Sequence, residues 1–238
     1  MKSKILIDSL ILGSALFSMF FGAGNMIFPP YLGLECSSQW FGGFLGYFTA
    51  DIILAMIAIV AQIRTGGFEK LLDPLGKILK GFFLISIILC LGPIITIPRT
   101  AATTFELIPN AEIITKPVFY TIFFAVVILL TINKSGVVDA IGKFLTPLLI
   151  IGLLVIITMG IINPLGDISE FPKVSSPVAS GIEAGYQSMD VLAATIFGVL
   201  ILSGAKDKGH TSPSELKKVT IGASVFSGMA LFAIYMGL

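Results

Sequence analysis

Apolar residues come in runs near twenty long, separated by short stretches of proline, glycine, serine and charge. About 20 residues cross a hydrocarbon core about 30 Å thick, because a helix rises 1.5 Å per residue. The pattern predicts about seven helical spans, near Ile5–Phe28, Phe41–Gln62, Gly81–Thr103, Pro117–Ile132, Ile141–Ile162, Val178–Ala205 and Val219–Leu238. One run alone would also suit a buried core helix; seven in succession would not. The connections, such as Pro29-Pro30, Asp73-Pro74-Leu75-Gly76 and Asn163-Pro164-Leu165-Gly166, are too short for a separate soluble domain. Residues 1–238 are expected to form one all-α integral membrane domain.

Composition agrees. Charged residues make up 12% of the chain, half the roughly 25% that a water-facing surface uses. A net charge of +1 gives no bulk attraction for nucleic acid. Cys36 and Cys90 stand in unrelated segments, and His210 is the single histidine, which argues against a histidine-ligated metal centre. Lys2 and Lys4 before an apolar run resemble a signal peptide, but the run passes Phe21 without a small-residue cleavage site and is read as the first span.

Basic residues orient the spans. Taking the N-terminus and every second loop as one side collects Lys2, Lys4, Arg64, Lys70, Lys77, Lys80, Lys134, Lys143, Lys206, Lys208, Lys217 and Lys218. The other side holds Lys116 and Lys173, and Arg99 lies within a span. This bias predicts a multi-pass protein of the inner or plasma membrane with a cytoplasmic N-terminus.

Two spans carry glycine where a continuous helix is disfavoured. In Phe21-Gly22-Ala23-Gly24-Asn25-Met26-Ile27-Phe28, three helix-weakening residues fall within four positions. Either the helix unwinds there, offering N–H groups to a carboxylate and carbonyls to a cation, or the small residues make a packing face for a neighbour. A second, weaker signal is Ala194-Thr195-Ile196-Phe197-Gly198 in the sixth span. It is expected at a depth matching the first break in an antiparallel helix, as an inverted repeat would place it.

Acids within spans are costly, so each suggests a role or a partner. Asp51 reads as a proton carrier, as the partner of a buried base, or as an acid facing an aqueous vestibule or bonded to a neighbouring hydroxyl. Arg99 reads as a gate pairing with Glu106 or Asp190, or as a side chain reaching the interface. Asp190 lies in an unusually polar stretch with Tyr186 and Ser188. Asp8, Glu69, Asp139 and Asp207 are expected to be solvated near the inner surface.

These segments resemble a known family. Phe21-Gly22-Ala23-Gly24-Asn25-Met26-Ile27-Phe28-Pro29-Pro30 looks like the first-helix signature of the bacterial branched-chain amino acid carriers, the leucine, isoleucine and valine cation symporters. Gly92-Pro93-Ile94-Ile95-Thr96-Ile97-Pro98-Arg99-Thr100-Ala101, with Phe105-Glu106 after it, resembles their third-helix signature. Gly185-Tyr186-Gln187-Ser188-Met189-Asp190-Val191-Leu192-Ala193 resembles the start of their sixth helix. The resemblance covers the whole chain and implies a leucine-transporter-like fold of five-plus-five inverted repeats, the first repeat over about residues 5–162 and the second opening at about 178–238. That family is about twelve helices long, so the chain is expected to be an N-terminal part of a longer carrier.

By the same resemblance, Gly22, Ala23, Gly24, Thr195, Phe197 and Gly198 would bind the substrate. Ser18, Phe20, Phe21 and Asn25 would face a cation, and Asp51, Arg99 and Asp190 are gate or coupling candidates. The implied activity is import of leucine, isoleucine or valine by symport with sodium, or with a proton. No cofactor is implied, nor any metal beyond sodium; the partners are the substrate and the lipid bilayer, with no nucleic acid and no obligate protein. A related amino-acid or nucleobase carrier of the same fold is the alternative. An intramembrane enzyme would need a nucleophile with a base, a carboxylate pair or a metal triad. A pore would need a filter-like repeat. The sequence favours neither.

Overall fold

The first apolar run is two helices. The structure, a computed structural model, describes residues 2–108, 115–132, 146–164, 166 and 168–238. Helix α1 (Lys2–Phe20) ends at a two-residue link, and α2 (Ala23–Cys36) restarts after Gly22, whose φ of −111° and ψ of −175° are extended. The break therefore lies at Phe21–Gly22, and Ala23, Gly24 and Asn25 form the first turn of α2. Pro29 and Pro30 lie inside α2 rather than in a connection. Proline's φ is compatible with a helix; its cost is a missing donor, and membrane helices tolerate that cost where neighbours cover the backbone. Ser37, with φ of 47°, ends α2. The chain then turns back along it, bringing the Tyr47 ring 6.3 Å from that of Phe28.

The second span is α3 (Trp40–Phe48) and α4 (Leu54–Thr65), joined by a π-type turn over Thr49–Ile53. Gly66 caps it with φ of 85°, the left-handed geometry that glycine adopts without strain. The third span is also broken. Helix α5 (Gly76–Leu89) runs into a wide turn at Cys90–Ile94 before α6 (Thr96–Glu106), and Gly92 leaves helical geometry at φ −100°, ψ −114°. Helices α7 (Lys116–Ile132) and α8 (Thr146–Ile162) follow. Then come α9 (Pro177–Gln187), α10 (Asp190–Asp207) and α11 (Pro213–Gly237).

Among the described residues, four helical stretches are long and apolar enough to cross a membrane, or five if the pair α9–α10, bent by 46°, counts as one span. Lys116–Ile132 and Pro147–Ile162 are apolar but shorter. The start of the expected Ile141–Ile162 span lies outside the described residues, as do Lys134, Asp139 and Lys143.

The packed centre comprises α1 against α11, α3 against α9, and α4 against α10. Small residues set the α3–α9 approach. A Cβ on Gly181 would collide with the Gly43 carbonyl, and one on Gly46 with the Val178 carbonyl. On Gly185 it would stand 2.6 Å from the Tyr47 carbonyl oxygen. Backbones this close need glycine at the crossing, as membrane helices commonly use it. The consequence is positional: Tyr47 and Asp51 are carried against the end of α9. Around this centre, α5 and α7 bury no residue among those described.

Candidate functional site

The two breaks face each other. Leu12 of α1 lies beside Gly204 of α10, and the Phe20 ring meets Phe197 edge-on at 5.1 Å. The Asn25 amide nitrogen then donates to Asp190 Oδ2 at 2.7 Å. Numbers rise along one partner as they fall along the other, so α1–α2 and α9–α10 run antiparallel with their interruptions in contact.

The second interruption is Ser188–Met189, not Thr195–Gly198. Met189 adopts left-handed geometry at φ 66°, and α10 continues unbroken through Thr195, Phe197 and Gly198. Gly198 has a packing reason instead: a Cβ there would come within 2.8 Å of the Gln62 amide, whose nitrogen bonds the Ala194 carbonyl at 2.9 Å. The Thr195 hydroxyl bonds its own helix at Leu192. Of the substrate residues expected from α10, Phe197 meets α1 through the Phe20 ring.

At the first break, α2 starts with N–H groups of Ala23, Gly24 and Asn25 that have no helical carbonyl before them. The carbonyls of Ser18 and Phe20 stand at the end of α1, where they lack helical donors and carry the negative end of the helix dipole. The Phe21 N–H still bonds Phe17, and the Ser18 hydroxyl bonds the Ser14 carbonyl. One place thus offers donors suited to a carboxylate beside acceptors suited to a cation.

Between the breaks lies a buried polar cluster. The Ser188 hydroxyl donates to Asp51 Oδ1 and also lies 2.6 Å from the Gly185 carbonyl. Asn25 donates to the Tyr235 hydroxyl as well as to Asp190. Asp51 and Tyr47 are 0% exposed, and among the described residues neither Asp51 Oδ2 nor the Tyr47 hydroxyl has a hydrogen-bond partner of good geometry. The π-type turn displaces the helix by one residue at Asp51, the kind of local widening often found at functional positions.

Arg99 pairs with neither Glu106 nor Asp190. Its guanidinium donates to the carbonyls of Gln187, at 2.5 Å, and Ser188, at 3.2 Å. A cation at the exposed carbonyls of a helix end is favourable, so Arg99 holds the second break open. Asp8 is also placed differently from the solvated position expected. It is 7% exposed, bonded to His210 Nε2 at 2.8 Å and 3.5 Å from Lys208 Nζ. Helix α1 buries this acid against the α10–α11 connection, where a counter-charge waits 200 residues away in sequence.

Tyr47 and Tyr235 join the site without having been singled out for it, and Ser188 joins it after being noted only as a polar neighbour of Asp190. The available signal was helical spacing, since Tyr47 precedes Asp51 by four residues and shares its face. Tyr235 had no such signal.

The branched-chain amino acid transport protein family matches residues 5–238. The chain is 34% identical to the branched-chain amino acid permease BraB of Bacillus subtilis, over 97% of its own length and 54% of the permease. It is 32% identical to the permease BrnQ of Escherichia coli K12, over 97% and 54%. It is 34% identical to BrnQ of Lactobacillus delbrueckii, over 99% and 56%. The chain thus spans about half the length of the curated relatives it matches. No solved structure matches it. These relatives are permeases by name, not enzymes, and with the apolar helices they mark a multi-pass membrane protein. From residue 5 to residue 238, the chain belongs to the branched-chain amino acid transport protein family.

Proposed function

We propose that the chain forms the N-terminal part of a carrier that imports leucine, isoleucine or valine by symport with a cation, sodium rather than a proton. The observation that carries this reading is the meeting of two interrupted antiparallel helices, joined by Asn25 and Asp190 at 2.7 Å. Half-helix N-termini recognise carboxylates, and half-helix C-termini recognise cations. Ala23, Gly24 and Asn25 then hold the amino-acid carboxylate through backbone N–H groups, and Phe20 and Phe197 present an apolar wall to its branched side chain. Carbonyls of Ser18 and Phe20 face the cation.

The same pairing supports a five-plus-five inverted repeat. The α1 and α10 halves, of 19 and 18 residues, pack together, as do the shorter α2 and α9 halves of 14 and 11. Lysine and arginine bias supports a cytoplasmic N-terminus. Uptake of radiolabelled leucine into vesicles bearing the full-length protein tests this, with sodium and pH gradients imposed separately. A sodium gradient should drive accumulation that unlabelled isoleucine and valine suppress; accumulation indifferent to both gradients would overturn the coupling.

A further inference from the structure

Two carboxylates, Asp51 and Asp190, sit within the packed centre, and the Arg99 guanidinium beside them bonds backbone carbonyls rather than either acid. Asp51 and Asp190 converge on Ser188 at the second break, its hydroxyl donating to Asp51 Oδ1 and lying 3.5 Å from the Asp190 backbone nitrogen, and Arg99 adds one positive charge through its bonds to the Gln187 and Ser188 carbonyls. With both acids ionised one negative charge is left over, and a charge at membrane depth is costly unless a proton or a bound cation offsets it. Oxygen atoms dominate the surroundings: Ser188 bonds Asp51, and the Tyr47 and Tyr235 hydroxyls face it, their rings 5.5 Å apart.

Unpaired atoms point to the same place. The buried Tyr47 hydroxyl lies against Asp51 without completing a hydrogen bond of good geometry, and Asp51 Oδ2 has no such partner among the described residues. Native interiors rarely leave such atoms unpaired, and each asks for a ligand. Hard cations take several oxygens, and a single positive charge balances the deficit.

We infer that Asp51, Asp190, Ser188 and the hydroxyls of Tyr47 and Tyr235 form a seat for one monovalent metal cation of the sodium type. This rests on the cation-coupled reading and adds to it a side-chain site distinct from the carbonyls at the end of α1. Because Asn25 joins Asp190 to the first turn of α2, the seat is mechanically continuous with the N–H groups assigned to the substrate carboxylate. A filled seat therefore fixes the two breaks relative to each other.

Binding of sodium-22 to the protein in lipid nanodiscs, without leucine, tests the seat. Asp51→Asn should weaken sodium binding at least tenfold. Tyr47→Phe should weaken it severalfold while leaving the melting temperature in sodium-free buffer unchanged or higher, since it deletes an unpartnered buried hydroxyl. A purely structural role for Tyr47 predicts no change in binding. Should Asp51→Asn fail to fold, Tyr47→Phe and Ser188→Ala decide. Wild-type affinity in the folded variants, or no sodium binding by the wild type, would overturn the inference. Failure of the carrier reading would look different: sodium binding that depends on Asp51, with no leucine uptake.

Discussion

Asn25, in the first turn of α2, donates its amide to Asp190, in the first turn of α10. Each helix begins immediately after an interruption, so one side-chain bond ties two half-helices from opposite ends of the chain. Asn25→Ala removes that donor and leaves Asp190 Oδ2 short of a partner. The loss should lower stability by about 1–3 kcal/mol, the range for an unsatisfied buried group. Thermal melts in detergent should show it, and leucine uptake by the full-length protein should require more sodium for half-maximal rate.

A second prediction concerns the α3–α9 crossing. Gly181→Ala places a methyl against the Gly43 carbonyl and within 2.8 Å of the Tyr47 backbone nitrogen. Neither backbone can move without separating the helices, so the cost should reach or exceed the ~1–3 kcal/mol of an overpacked core. Gly33→Ala, at a position with nothing within 4 Å of the added Cβ, is the control. Size-exclusion profiles of the two variants should differ, with loss of monodisperse protein for Gly181→Ala alone.

Asp8 and His210 give a third. His210→Ala should destabilise the protein by about 1–3 kcal/mol, because it strips a buried carboxylate of its close partner and leaves Lys208 at 3.5 Å. His210→Gln, which retains a donor, should recover part of the loss in a thermal melt.

Orientation gives the fourth. Lys70 and Ser175 are both exposed. An impermeant thiol reagent added to intact cells should label Ser175→Cys and spare Lys70→Cys; the reverse pattern would invert the topology.

The parts of this structure readable from sequence are those set by local composition. Apolar runs located the spans, and Gly22-Ala23-Gly24-Asn25 located the first break to within a residue or two. The second break was misplaced because Met189 enters left-handed geometry without glycine's usual signature, and Arg99, from another span, holds it there. Gly198 misled for the complementary reason: it is small to admit Gln62, not to unwind a helix. The kink at Gly92-Pro93 went unread because those residues lie within the continuous apolar run Gly81–Thr103. Tyrosine counts towards an apolar run, so the hydroxyls of Tyr47 and Tyr235 were invisible until the fold turned them inward. Asp8 met His210 only through a contact spanning 202 positions, which no local pattern encodes.

Gly24 bears most directly on transport. A Cβ there would lie 3.3 Å from the Phe28 ring, which must give by a few tenths of an ångström, and in ordinary van der Waals contact with the Arg99 guanidinium at 3.7 Å. The helix restart should therefore survive Gly24→Ala, while the approach of a carboxylate to the backbone is obstructed. Sodium-driven leucine uptake, normalised to inserted full-length protein, should be abolished in Gly24→Ala with insertion intact. Near-normal uptake at normal insertion would contradict backbone recognition of the substrate at the first break.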